Sequence, residues 1–173
     1  MRINLGSGTD LKPGYVNVDI VKVKGIDKVH DLNKYPYPFK PNSAEEIICE
    51  HIIEHLNDPV KFLEECHRIL KSKGILKIET PHHASGNAYA DLTHKNFFNL
   101  QAFKNITQNK SQITNEEVKI KKFNFKIKKA KIGLERFKFL EPIINRFNKA
   151  YDYGLCYLLR PTSLFIELAA IKN

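Results

Sequence analysis

The sequence predicts a doubly wound α/β domain with an open, mostly parallel sheet and an antiparallel strand pair near its C-terminal end, and three observations carry this reading. Short strand-like apolar runs recur through the first 81 residues, as parallel strands buried between layers require. The clearest helical pattern, beginning at Asp58, lies between two of those runs, where a crossover belongs. Beyond residue 120 the pattern changes to period two with one wet face, the mark of antiparallel strands.

Taken in order, Ile3 to Leu5 is the first strand, and it runs directly into Gly6, Ser7 and Gly8. Lys12-Pro13-Gly14 is turn chemistry, and Tyr15 to Ile20 is a second strand in which Val16, Val18 and Ile20 alternate with Asn17 and Asp19. Asp27 to Leu32 is a short third strand, and the prolines at 36, 38 and 41 make the next stretch a loop. Glu46 to Cys49 is a buried fourth strand. The helix has Asp58 as its cap, Pro59 in its first turn and Val60, Leu63, His67 and Leu70 as its stripe. Lys71, Lys73 and Gly74 are expected to close it, with glycine suited to a left-handed cap. Ile75 to Thr80 is the fifth strand, stopped by Pro81. In the tail, Phe123, Phe125 and Ile127 mark one strand and Thr162 to Ala170 another, with a helix after Pro142 carrying Ile143, Ile144, Phe147, Tyr151 and Leu155.

A length of 173 residues suits one domain. There is no run of the roughly 18 apolar residues that a membrane span needs and no leader-like apolar region at the start, so no integral membrane segment and a cytoplasmic location are expected. Cys49, Cys66 and Cys156 have no CxxC spacing and suggest neither a disulfide framework nor a thiolate metal site. The net charge of +9 is uneven: residues 1–100 hold 13 basic and 13 acidic side chains, residues 101–173 hold 15 and 6. Such a tail suits an acidic partner such as nucleic acid, an anionic lipid surface or a phosphorylated substrate, or is a solvated lysine-rich face. From Lys119 to Lys131 there are seven lysines, and the alternation sets Phe123 and Phe125 on the opposite face, where core packing explains them better than base stacking. Nucleic acid is therefore a minority reading, and the oligomeric state is left open. The apolar, tyrosine-rich stretch from Ile143 to Leu159 suits core packing, a pocket cover, a dimer contact or a membrane surface.

In open parallel sheets ligands sit at the carboxyl ends of the strands. That rule puts Gly6 to Gly8, Asp19, Asp31, Glu50 with His51, and Pro81 to His83 along one rim. Gly6-Ser7-Gly8 lets a ligand approach the backbone closely. A dinucleotide fingerprint would need a third glycine and an acid roughly 20 residues on. Asp19 follows Gly8 by only eleven residues, which excludes that reading.

The ordered series INLGSG, NVDI, DLNKYPYPFKPNSAEEI and CEHIIEHLNDPVKFLEECHRILKSKGILKIETP resembles the class I S-adenosylmethionine-dependent methyltransferases, from about residue 2 to about residue 81. The resemblance implies a Rossmann-like sheet with a cofactor-binding half at 1–81 and a substrate-binding half at 82–173. It implies that Leu5, Gly6, Ser7 and Gly8 wrap the methionine end of S-adenosylmethionine, that Asp19 holds the ribose and that Ile20 packs on the adenine. Asp31 and Leu32 would border the adenine, and Glu50 and His51 would stand near the methionine and the substrate entrance. The sequence departs from the family in its short first crossover, in Ala44 and in Ser72-Lys73-Gly74.

PHHASGNAYADLTHKNFF then gathers His82, His83, Asp91 and His94 on the rim where an acceptor would meet the methyl group. His94 is the expected base, oriented by Asp91, with His82 as the alternative. Histidines with a carboxylate also suit a metal or a structural hydrogen-bond network, but the spacing matches no standard metal motif and no metal is expected. The resulting expectation is a methyltransferase for a small-molecule or glycan-type acceptor. A cofactor-binding module without turnover and an RNA-directed methyltransferase are the alternatives.

Overall fold

The structure is a computed structural model that describes residues 1–107 and 123–172. Its strands are β1 (Arg2–Leu5), β2 (Val16–Asp19), β3 (Lys28–Val29), β4 (Ala44–Glu50), β5 (Leu70–Pro81), β6 (Phe125–Leu134) and β7 (Pro161–Ala170). They form one sheet in the order β3-β2-β1-β4-β5-β7-β6. β1 to β5 pair in parallel, and β7 is antiparallel to both β5 and β6, as the sequence leads one to expect. The core is continuous through the central strands, with Ile3, Leu5, Ile47, Cys49, Leu76, Leu164 and Leu168 all buried.

Helix α1 (Pro59–Ile69) is the one helix in the crossovers of the parallel half, and Asp58 caps it by accepting from the Lys61 amide at 2.9 Å. Its buried stripe is Phe62, Leu63, Cys66 and Ile69, about one position round from the expected one. The expected ending differs too. The helix stops at Leu70, whose backbone is already extended, and Lys71 to Gly74 belong to β5. Lys73, not Gly74, takes the left-handed conformation, at φ 64°. Glycine serves at 74 for space instead, because a Cβ there would lie 3.0 Å from the Lys71 carbonyl and 3.2 Å from that of Ala44.

β3 is cut to two residues because Asp31 turns the chain: its carboxylate accepts from the Asn33 amide at 2.9 Å. No helix lies between β1 and β2, so the chain crosses by turns. There Asn4 and Asn17, both buried, bond to each other and to the backbone of Asp10 and Lys12.

In the tail, the single expected helix is three pieces: α4 (Glu141–Arg146), α5 (Asn148–Tyr153) and a 3-10 turn at Leu155–Tyr157, broken at Phe147 and Gly154. Asn145 ties α4 to the sheet by pairing its amide group with both backbone groups of Ile132, next to a register irregularity of β6. Phe123 and Phe125 are buried as expected, while Lys126, Lys128, Lys129 and Lys131 are exposed along β6. β6 is an edge strand, and lysines there discourage another chain from adding to the sheet. The expected lysines 119, 121 and 122 lie outside the described residues. Two further helices, α2 (Asn87–Ala90) and α3 (Leu100–Thr107), follow β5, and no helix among the described residues is long and apolar enough to cross a membrane.

Candidate functional site

The parallel strands end on one rim, and there a cavity of about 220 Å³ is lined by Gly6, Asp19, Ile20, His30, Asp31, Leu32, Asn33, His51, Ile52, His55 and Leu56. Gly6 and Gly8 hold φ of 69° and 49°, left-handed values that a side chain disfavours. The amides of Gly6 and Ser7 both donate to the Val18 carbonyl, at 2.8 and 3.0 Å, which binds the loop to the end of β2. Asp19 closes the arrangement, since one of its oxygens accepts from the Gly8 amide at 2.8 Å and the other from the Val21 amide at 3.0 Å. Ile20 stands beside it, 62% exposed and facing the cavity. Ser7 is buried, and its Oγ has no hydrogen-bond partner among the described residues.

A Cβ on Gly6 would fall 2.1 Å from Ile52 Cδ1. Gly6→Ala is therefore expected to cost about 2–3 kcal/mol, combining the left-handed backbone with overpacking. Urea denaturation checks this, and Ile52→Ala in the same chain should recover the overpacking part only.

At the end of β4, His51 has a left-handed backbone, φ 54°, and its ring stands between two carboxylates. Nδ1 is 3.4 Å from Glu54 Oε1 and Nε2 is 3.5 Å from Glu79 Oε1. Those neighbours raise its pKa to about 10. Glu50 lies outside the cavity lining and pairs with Lys12 at 3.0 Å. Leu5 is buried in the core and offers the rim only its backbone.

The 3-10 turn Ile53–His55 follows, and the segment carrying Asp91 to Asn96 is laced onto it. The Glu54 carbonyl accepts from the amides of Lys95 and Asn96, at 2.8 and 3.1 Å, and Asn96 Nδ2 donates to the Leu56 carbonyl at 2.6 Å. This lacing sets the His55 and His94 rings edge to face with centroids 4.6 Å apart. Asp91 does not orient His94 as expected: it accepts from the amide and the hydroxyl of Thr93, at 2.8 and 2.7 Å. His94 is held by the Ala88 carbonyl, 2.8 Å from its Nδ1. Thr93 Oγ1 is also 2.9 Å from His55 Nδ1, so Asp91 acts through Thr93 on His55.

His82 is fully buried, with Nε2 on Asp152 Oδ1 at 3.1 Å and Nδ1 accepting from the Ala84 amide at 3.1 Å. With both ring nitrogens engaged inside the core, His82 cannot serve as the alternative base. His83 packs on it with centroids 4.5 Å apart, and burial lowers the His83 pKa. Its Nε2 is buried without a hydrogen-bond partner among the described residues.

Residues 7–78 match the family model described as a methyltransferase domain. The solved structures that this chain resembles across nearly its whole length include an S-adenosylmethionine-dependent methyltransferase from Archaeoglobus fulgidus, at 18% identity and a TM-score of 0.64, covering 97% of this chain and 85% of that one. Residues 7–78 are thus similar to a methyltransferase domain, and the chain shares the fold of these methyltransferase structures. The putative methyltransferase in complex with the Trm112 activator of Haloferax volcanii is similar at 13% identity and a TM-score of 0.60, with 99% and 82% covered. An S-adenosylmethionine-dependent methyltransferase from Mesorhizobium loti is similar at 14% identity and a TM-score of 0.58, with 97% and 89% covered. No curated protein matches the sequence.

On this fold the rim brings together Gly6, Asp19, Ile20, Asp31, Leu32 and His51 from the sequence reading, with His94 beside them. It leaves His82, His83 and Glu50 outside the cavity lining. His30, Asn33, Ile52 and His55 line the cavity, and Glu54 is buried in the turn that carries His55; the sequence reading selected none of these. The signal for Glu54 and His55 was present in CEHIIEHL, where the Glu-His pair at the strand end, Glu50-His51, is repeated four residues later.

Proposed function

We propose that the protein transfers a methyl group from S-adenosylmethionine to a small-molecule or glycan-type acceptor. The observation that carries this reading is the rim cavity itself, bordered by Asp19 and the glycine loop on one side and by the His55 side chain, with His94 behind it, on the other.

The residues present fit the cofactor. Ser7 Oγ is a buried polar atom lacking a partner among the described residues, and Gly6 keeps open a space that a Cβ would fill. The cavity is smaller than the roughly 300–1,000 Å³ of sites that enclose a whole drug-sized ligand, a size that suits the nucleoside part. Asp19 would accept from the ribose hydroxyls with the lone pairs its two backbone bonds leave free. Ile20 would lie on the adenine, with Asp31 and Leu32 at its edge, and Gly6 to Gly8 and His51 would meet the methionine end.

When bound, S-adenosylmethionine supplies a methyl group on a sulfonium, open to in-line displacement by an acceptor heteroatom. The chain's task is to align that atom and to take its proton. A carbonyl can only accept, so Ala88 requires the proton of neutral His94 to sit on Nδ1, which leaves the Nε2 lone pair available. His94→Ala is expected to lower turnover by about 100-fold or more while leaving S-adenosylhomocysteine affinity within about twofold. The check is the release of S-adenosylhomocysteine with a panel of hydroxyl- and amine-bearing small molecules and glycans. Product formation that needs none of them, or that is indifferent to His94→Ala, would contradict this assignment.

A further inference from the structure

We infer that Glu54, His55 and His94 form a binding site for a divalent transition-metal ion of the zinc type, at the acceptor side of the cavity. One ligating atom from each of the three lies within 4.8 Å of the other two. Around one zinc-type ion such atoms stand roughly 3.4 Å apart, given bonds of about 2.0–2.1 Å in tetrahedral geometry. Small side-chain rotations close that gap.

Three features distinguish the cluster from a chance meeting of polar residues. The first is the pair of hydrogen bonds behind the rings. His94 Nδ1 donates to the Ala88 carbonyl, and because the Thr93 hydroxyl already donates to Asp91, His55 Nδ1 must donate to Thr93 Oγ1. Both imidazoles are thereby held with Nδ1 protonated and Nε2 as the lone-pair atom, the outer arrangement that ligating histidines require. The second is Glu54. Its carboxylate is almost wholly buried, and while Oε2 accepts from Thr80 Oγ1 at 2.9 Å, Oε1 makes no closer hydrogen bond among the described residues than its 3.4 Å approach to His51 Nδ1. With its nearest recorded polar contact at 3.4 Å, this carboxylate oxygen keeps lone pairs free to ligate a cation. The third is the placing of other carboxylates: Glu79 lies on the far side of the His51 ring from Glu54, and Asp91 stands behind His55 through Thr93, so the cluster is flanked by acidic groups.

Two imidazoles and one carboxylate favour a zinc-type ion over magnesium or calcium, which prefer oxygen ligands. Three protein ligands leave a coordination position open, the form of a catalytic rather than a structural site. His55 lines the cavity, so that position would serve an acceptor oxygen. The use of the ion in methyl transfer rests on the function proposed above, with His94 in the metal-loaded protein acting as a ligand in place of the base, because its one free lone pair cannot serve both; the binding site itself does not rest on that function.

The test is titration of Co²⁺ into the metal-stripped full chain without cofactor or acceptor, followed by visible absorption and by competition with Zn²⁺. One ion per chain is expected. His94→Ala should weaken binding at least 100-fold. Thr93→Val, which removes the support of His55 but no ligand, should weaken it about tenfold. Glu54→Gln should act like His94→Ala, and because Glu54 is buried the exposed-side variants keep the test decisive if that chain fails to fold. Absence of Co²⁺ binding, or binding that survives His94→Ala unchanged, overturns the site. S-adenosylhomocysteine binding to the stripped protein is measured in parallel, so that loss of the metal site is told apart from loss of the cofactor site.

Discussion

Asp152→Ala is expected to cost about 3–5 kcal/mol of stability, a large part of what a domain of this size possesses. Asp152 is buried, and each of its oxygens holds one group: Oδ1 holds His82 Nε2 at 3.1 Å, and Oδ2 holds the Gln101 amide at 3.2 Å near the start of α3. The residue thus joins α5 to the end of β5 and to α3. Alanine leaves the fully buried His82 ring and a backbone amide without their acceptor, and that desolvation is what makes the change severe. Asp152→Asn keeps one acceptor oxygen of the two and should fall between. Urea denaturation followed by circular dichroism reads both. A loss below about 1 kcal/mol for Asp152→Ala would mean that water reaches His82 and that its burial is not as described.

The second large effect is on ligand binding. Asp19→Ala is expected to weaken S-adenosylhomocysteine binding by 100-fold or more, since two hydrogen bonds to a charged acceptor contribute about 1.5–3 kcal/mol each. Asp19 also latches the Gly8 and Val21 amides, so the variant loosens the glycine loop that the ligand must meet. The latch bonds are exposed, and stability should fall by only about 1 kcal/mol. Calorimetry of the variant against unfolding of the same sample separates the two roles.

Much of the parallel half was legible because its signals are local. The strand at Val16 to Asp19, the cap at Asp58 and Pro59, and the left-handed glycines at 6 and 8 each follow from a few adjacent residues. The end of α1 was misread because Gly74 is needed for close packing against Ala44 and Lys71, a contact between strands that no local pattern displays. The tail helix was read as continuous because Phe147 carries no breaking signal, while the bonds from Asn145 to Ile132 that fix α4 span 13 residues. The catalytic candidates show the same limit. Four residues were grouped by closeness in sequence, yet His82 is directed into the core by Asp152, 70 residues away, and His94 is paired with His55, reached only through the lacing of Lys95 and Asn96 onto Glu54. Adjacency along the chain named the segment; the hydrogen bonds between segments chose the side chain.

The central claim is that the rim cavity receives the nucleoside end of S-adenosylmethionine, and calorimetric titration of S-adenosylhomocysteine into the wild-type chain tests it most directly. The account predicts a single site of micromolar affinity that Asp19→Ala removes. A folded wild-type protein that takes up no S-adenosylhomocysteine, or one whose binding is indifferent to Asp19→Ala, would contradict it.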